Sequence, residues 1–204
     1  MSKKNRIIQT TFIVTILGLG SKLLGLFREI LIASKFGAGM ETDAFFVALT
    51  ATSLITAFIT NSLGTTFIPV LTDVESKEGK NGKIDHTNNM LNITLLISVV
   101  LVIIGIIGAP IIIKLLAKGF EGEQLKLAIK LTRIGFPVMF FGVAVGVFKG
   151  YLHSENRLIS TAAIGLPMNL VYIIYLLFFS KKFGIIGLMI ASVIAILSQL
   201  LIQI

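Results

Sequence analysis

The sequence predicts an all-α integral membrane protein, a bundle of six transmembrane helices, on three observations. Of its 204 residues, 55% are hydrophobic and only 14% are charged, with a mean hydropathy of +0.95. A soluble domain of this length has too much surface for its volume to hide that much apolar area, so the apolar solvent is lipid. The apolar residues also fall into about six runs of roughly 20 residues, the length that spans a bilayer core. Short polar stretches separate the runs, and short links make consecutive helices antiparallel neighbours.

The first run covers residues 7–34 and follows the basic start Lys3-Lys4-Asn5-Arg6. That start resembles a signal peptide, but the run exceeds the usual ~7–15-residue signal core, lacks a small-x-small cleavage site and is interrupted by charges. It is read as a retained helix. The other runs cover 44–71, 90–116, 127–152, 160–179 and 184–204. Lys35-Phe36-Gly37-Ala38-Gly39 reads as a glycine-rich turn, and residues 73–89 as the one long polar loop. Residues 118–123, 153–157 and 180–182 read as shorter links. The sequence is still apolar at Leu200-Leu201-Ile202-Gln203-Ile204, which suggests the N-terminal part of a longer protein.

Several function classes are disfavoured. There is no cysteine, so disulfides, thiolate metal sites and cysteine nucleophiles are excluded. His86 and His153 stand in polar stretches without metal-ligand spacing and read as solvated loop residues. The net charge is +8, yet the cations flank apolar runs instead of forming a stripe on a soluble face, so anionic headgroups or an anionic substrate fit better than nucleic acid. Placing the N-terminus inside puts Lys3, Lys4, Arg6, Lys77, Lys80, Lys83, Lys149 and Arg157 in the cytoplasm. Lys35, Lys114, Lys118, Lys126, Lys181 and Lys182 then lie opposite, before Lys130 and Arg133 are assigned. The positive-inside bias is slight and favours cytoplasmic termini. No Gly-x-Ser-x-Gly, P-loop, His-Glu-x-x-His or paired intramembrane carboxylates occur, so the residues suggest neither an enzyme nor an ATP-driven pump.

The strongest local signal is charge within the first helix, in Ser21-Lys22-Leu23-Leu24-Gly25-Leu26-Phe27-Arg28-Glu29. Counting from Ile7, Lys22 lies ~22 Å along the axis, near the bilayer midplane. A charge there costs at least ~2.5–3.5 kcal/mol, so it needs a partner or a wet cavity. Gly18, Lys22, Gly25 and Glu29 fall on one stripe, with Ser21 and Arg28 on the next. One reading is a water-filled cavity lined by Lys22 and Arg28. The other has Arg28 and Glu29 reaching the far interface while Lys22 pairs with Glu29. In the second helix, Thr50, Thr52, Ser53, Thr56, Thr60, Asn61, Ser62, Thr65 and Thr66 suggest either a hydrated face or hydroxyls bonded back to the helix. Asp43 either favours a helix dipole or pairs with the basic residues of the first helix. Gly142, Gly146 and Gly150 recur every four residues and mark a close-packing face. Pro110, Pro137 and Pro167 free backbone carbonyls inside apolar runs. Asn169, Gln199 and Gln203 read as interhelical hydrogen-bonding groups.

The 21–29 block, followed by Phe36-Gly37-Ala38-Gly39 and Thr42-Asp43-Ala44-Phe45-Phe46-Val47-Ala48, resembles the opening of the MurJ (MviN-type) lipid II flippases. Thr66-Phe67-Ile68-Pro69-Val70, Gly119-Phe120, 131–137, Asn169, 184–188 and Gln199 continue the resemblance across essentially the whole chain. It implies the multidrug/oligosaccharidyl-lipid/polysaccharide exporter superfamily, with two six-helix lobes plus two further helices, and this chain matches the first lobe only. It further implies a bacterial cytoplasmic-membrane transporter that moves lipid II, an undecaprenyl-pyrophosphate-linked precursor, to the outer leaflet by alternating access. By motif position, Lys22 and Arg28 would hold the pyrophosphate in the central cavity. Glu29 and Asp43 would pair with them and influence gating; Ser21 and Asn61, polar residues of the first and second helices, are read from the sequence itself as candidate cavity lining. No cofactor is implied. Coupling to sodium or membrane potential is expected, with no ion site on this chain, and the partners are membrane lipids and the missing C-terminal lobe.

One departure stands out. Many relatives carry an arginine midway along the second helix, whereas Ser53-Leu54-Ile55-Thr56-Ala57 has none. Two alternatives therefore stay open: a flippase for another polyprenyl-linked polysaccharide unit, and a non-transporting membrane scaffold of cell-envelope assembly.

Overall fold

The computed structural model describes residues 3–203, with the side chains of Lys3, Lys4, Arg6, Ile55 and residues 62–64 left out of the description. Ser62 and Ile204 of the sequence reading thus lie outside the described residues. Every element is helical: α1 (Lys3–Phe36), α2 (Met40–Leu116), α3 (Gly122–Gly135), α4 (Pro137–Ser154), α5 (Leu158–Ala163), α6 (Gly165–Ile174), a π-helical segment (Tyr175–Phe179) and α7 (Ser180–Gln203). Among the described residues, four helical stretches are long and apolar enough to cross a membrane.

Two of those stretches are hairpins. Within α2 the backbone leaves helical geometry at Gly79 (φ 71°, ψ −169°), and within α7 at Gly184 (φ 56°, ψ −153°). This region is essentially restricted to glycine, because a Cβ would collide with the backbone. The chain doubles back at both points. Lys83 reaches Glu75, and the His86 ring stacks on Phe67 at 6.3 Å between centroids. At the second turn, Tyr175 Oη donates to Gly184 O at 2.6 Å and Gln199 Nε2 lies 3.2 Å from Met168 Sδ.

The expected polar loop at 73–89 is not a loop. It is helix on both sides of Gly79, because most of its residues, including Glu75, Lys77 and Lys83, tolerate or favour helix, and polarity marks water exposure, not irregular backbone. The arm 40–78 is ~58 Å long, about twice the ~30 Å hydrocarbon thickness, so the Gly79 end stands beyond the apolar core. The two histidines are likewise helical and half-buried, not solvated loop residues.

Apolar clusters and one close-packed helix pair join α2, α3, α4 and α7. The main core joins Phe45, Ala48, Ile113, Leu131, Leu188 and Met189 from α2, α3 and α7. A smaller cluster places Phe67 and Leu71 against Val147. Between the first arm of α2 and α4, threonine methyls enter a glycine track. A Cβ on Gly142 would come 2.6 Å from Thr56 Cγ2, and one on Gly146 would come 2.7 Å from Thr60 Cγ2. Glycine is required there for close approach of the two backbones. The pairs advance together along both helices, so this arm and α4 run parallel.

The threonines are satisfied locally: Thr52 donates to Ala48 O, Thr56 to Thr52 O and Thr60 to Thr56 O. Pro110 has no N–H to offer the Ile106 carbonyl one turn back. Arg133 Nε donates to that carbonyl at 3.2 Å instead. Pro137 opens α4 immediately after Phe136, which marks the junction with α3.

Ala at Gly184 should be strained by its positive φ, lowering stability by about 1–3 kcal/mol. Gly119→Ala, at a position with ordinary φ and open space, should be neutral. Thermal unfolding of the two variants in detergent tests the contrast, and equal midpoints would contradict it.

Candidate functional site

The site is built on α1, which packs on α5 and α6 and has little contact with α2. Its packed stripe is Ser21, Gly25, Arg28 and Ile32, at helical spacing. Gly165 sits so close that a Cβ there would overlap Ser21 Oγ, and Asn169 Nδ2 donates to both Ser21 O and Gly165 O at 3.0 Å. Gly25 leaves room for the Asn169 amide, 3.8 Å from where its Cβ would be. The match of positions 21, 25 and 28 with 165, 169 and 172 makes α1 and α6 parallel.

The opposite face of α1 is bare. Leu19, Lys22, Leu23, Leu26 and Glu29 are exposed on it, and Lys22 has no ion-pair partner among the described residues. The Lys22–Glu29 link, one of the two sequence readings, is therefore not formed. Arg28 belongs to the packed stripe, about 120° around the helix from Lys22, with its side chain only partly exposed. Its guanidinium carbon sits 5.0 Å from the centroid of the buried Tyr172 ring, a cation–π arrangement. Its Nη2 approaches Glu29 Oε1 at 3.4 Å, a long contact between adjacent residues that do not face each other on a helix. Its Nε is buried with no acceptor among the described residues. A buried unsatisfied donor costs about 1–3 kcal/mol, more when charged.

The remaining candidates separate in space. Ser21 belongs to the α1–α6 contact, not to the open face with Lys22. Asp43 is exposed in the first turn of α2 beside Glu41, where a carboxylate favours the helix dipole, and forms no ion pair with α1 among the described residues. Asn61 is exposed, and its carbonyl accepts from Thr65 Oγ1 at 3.3 Å.

Sequence reasoning missed two residues. Tyr172 carries no signal beyond being an aromatic in an apolar run. Lys83, placed by sequence in a solvated loop, is only 1% exposed. Its Nζ donates to Glu75 at 2.7 Å and to Glu155 at 2.5 Å, with the Tyr151 ring 5.7 Å away. This cluster ties the Gly79 turn to the segment after α4. No group of side chains suited to a metal occurs among the described residues.

With this geometry in place, comparison with known proteins decides the family. The family model described as "Lipid II flippase MurJ" matches residues 32–204. The chain belongs to the MurJ family. A probable lipid II flippase MurJ of Buchnera aphidicola subsp. Schizaphis graminum is 33% identical over 180 residues, covering 87% of this chain and 35% of that protein. The lipid II flippase MurJ of Thermosipho africanus is 30% identical over 183 residues, covering 87% and 38%. That of Burkholderia cenocepacia is 29% identical over 156 residues, covering 75% and 30%. A solved MurJ in an inward closed conformation superposes with a TM-score of 0.73 at 23% identity, over 94% of this chain and 40% of that one, so the fold is shared. The chain spans about a third of the length of these MurJ relatives.

The Lys83 cluster gives a pH prediction. The hydrogen bond from Lys83 holds the Glu155 carboxyl below its usual value, burial partly opposes this, and the charges of Lys83, Lys80 and Arg157 add to the lowering. A lowered folded value means that the unfolded chain takes up the proton first. The stabilisation is therefore complete above the ordinary glutamate value of about 4.3 and is lost as pH falls through the lower folded value. Unfolding midpoints measured from pH 7 down to pH 3 should fall more steeply for the unaltered protein than for Glu155→Gln. Parallel curves would show that the cluster contributes nothing.

Proposed function

We propose that this chain is the first six-crossing lobe of a lipid II flippase, with the bare face of α1 receiving the pyrophosphate. The Gly79 and Gly184 hairpins divide the four apolar stretches into six crossings in this reading. The observation that carries it is that α1 bears both an exposed lysine, Lys22, and a guanidinium, Arg28, whose buried Nε has no acceptor among the described residues. Both are poorly served by hydrocarbon. Both gain from an anion at ~4 Å, where each charge pair is worth about 4 kcal/mol at an effective dielectric of 20.

In this scheme Lys22 and Arg28 hold the phosphates while the prenyl chain stays in the bilayer. Tyr172 supports the Arg28 plane from behind, and Asn169 fixes the height of α1 on α6. Glu29, already 3.4 Å from Arg28, competes for that cation once cargo leaves, and Asp43 joins it in a further state of the cycle that brings α2 toward α1. The second lobe of the same protein closes the cavity, and an ion gradient or the membrane potential supplies the direction. The protein sits in the bacterial cytoplasmic membrane with its N-terminus in the cytoplasm. It transports without making or breaking covalent bonds, and it serves peptidoglycan synthesis.

One observation favours a second cargo. The stretch 53–57 offers only hydroxyls as polar side chains, and Ser53 and Thr56 already donate to Thr50 O and Thr52 O. A flippase for another polyprenyl-pyrophosphate glycan would need fewer contacts there.

Full-length Lys22→Ala and Arg28→Ala variants, expressed in cells depleted of their own flippase, test the assignment. Each loses a charge-assisted contact of ~1.5–3 kcal/mol, so flipping should fall about 10- to 100-fold, with Lys22→Arg retaining most activity. Normal rescue by both alanine variants at normal membrane levels would remove the cargo role from this face. Reconstituted vesicles offered lipid II or another polyprenyl-linked glycan distinguish the cargoes. Absence of flux for either, under an imposed gradient, would favour the scaffold reading.

A further inference from the structure

The end of the lobe remote from the N-terminus carries cations that neither the core nor the α1 face uses. Lys126, Lys130 and Arg133 recur at i, i+4 and i+7 on the exposed side of α3, opposite the buried Ala128, Leu131, Thr132 and Gly135. They border a groove of about 500 Å³ between α3 and the second arm of α2, whose other walls are Pro110, Ile129 and Ile134. Glu123 pairs with Lys126 at 2.8 Å, and Lys130 has no ion-pair partner among the described residues. Arg133 spends one donor, Nε, on the carbonyl that Pro110 leaves open, which anchors the guanidinium at the groove while its terminal nitrogens keep their donors. Lys114, one turn beyond Pro110, adds a further cation at the same end.

We propose that this groove binds an anionic phospholipid. The phosphate rests among Lys126, Lys130 and Arg133, and the upper acyl chain lies on Ile129, Ile134 and Pro110. Charge complementarity selects the occupant. A cationic stripe beside an apolar wall, at one end of the stretch Gly122–Ser154 that is long and apolar enough to cross a membrane, matches a ligand that is anionic at one end and hydrocarbon at the other. A soluble anion would leave the apolar wall uncovered, and a neutral lipid would leave the cations unpaired. With the N-terminus in the cytoplasm, the groove opens to the outer leaflet. That accounts for cations kept on the side from which positive charge is usually depleted.

Native mass spectrometry of the full-length protein in uncharged detergent tests this, titrating phosphatidylglycerol and phosphatidylcholine of equal chain length. The unaltered protein should retain phosphatidylglycerol with a preference of about fivefold or more. The double variant Lys126→Gln/Lys130→Gln leaves the Arg133 anchor in place and should lose that preference at unchanged thermal stability. Lys181→Gln/Lys182→Gln, which neutralises cations at the same end but outside the groove, should keep it. The proposal fails if the unaltered protein shows no preference, if the groove variant behaves like the unaltered protein, or if the control loses as much. It also fails if farnesyl pyrophosphate displaces phosphatidylglycerol at a lower concentration than phosphatidylglycerol itself requires, because the groove would then be a prenyl-carrier site.

Discussion

Hydrocarbon offers a polypeptide no hydrogen bonds, and the layout of this lobe follows from that constraint. Every backbone donor and acceptor within the apolar stretches must find its partner in the chain, which leaves helix as the only element described. Where a side chain disturbs the ladder, another restores it. Arg133 supplies the donor that Pro110 lacks, Tyr175 supplies one to Gly184 O at the second turn, and Asn169 donates to two carbonyls where α1 meets α6. The hydroxyls of α2 turn back on their own helix for the same reason. What first reads as a polar stripe is largely a set of side chains with their needs already met.

That economy makes the exceptions informative. Arg28 and Lys22 stand out because the surrounding helices meet their polar needs poorly or not at all. Lys83 is the opposite case, a cation almost wholly withdrawn from solvent yet given two carboxylates and an aromatic face. The two situations separate a group left short of partners from one that fastens neighbouring helices. Burial alone would have ranked them the other way.

Helical content and apolar character were legible in the sequence because lipid-facing helices advertise themselves by length and hydropathy. The close-packing role of Gly142 and Gly146 was legible from their spacing, and the structure puts threonine methyls in that track. The Gly79 hairpin was not. Polar residues around it suggested a loop, whereas helix continues past the hydrocarbon and only one residue breaks it. At the site, the position of Lys22 along a continuous first helix could be counted in the sequence. The division of labour between Lys22 and Arg28 could not, because positions about 120° apart on a wheel do not reveal which one a neighbouring helix covers. Ser21 shows the same limit, since its small polar side chain fits a cavity wall and a tight helix contact equally well. Tyr172 and Lys83 depend on partners 144 and 72 residues away in sequence, beyond the reach of local pattern.

The single-residue turn at Gly79 also has a mechanical meaning. Two helical arms joined without slack, and clamped by Lys83 to Glu75 and Glu155, make a stiff corner and not a tether. The corner is thereby fixed to the end of α4, and bending one arm against the other would first have to break the Lys83 contacts.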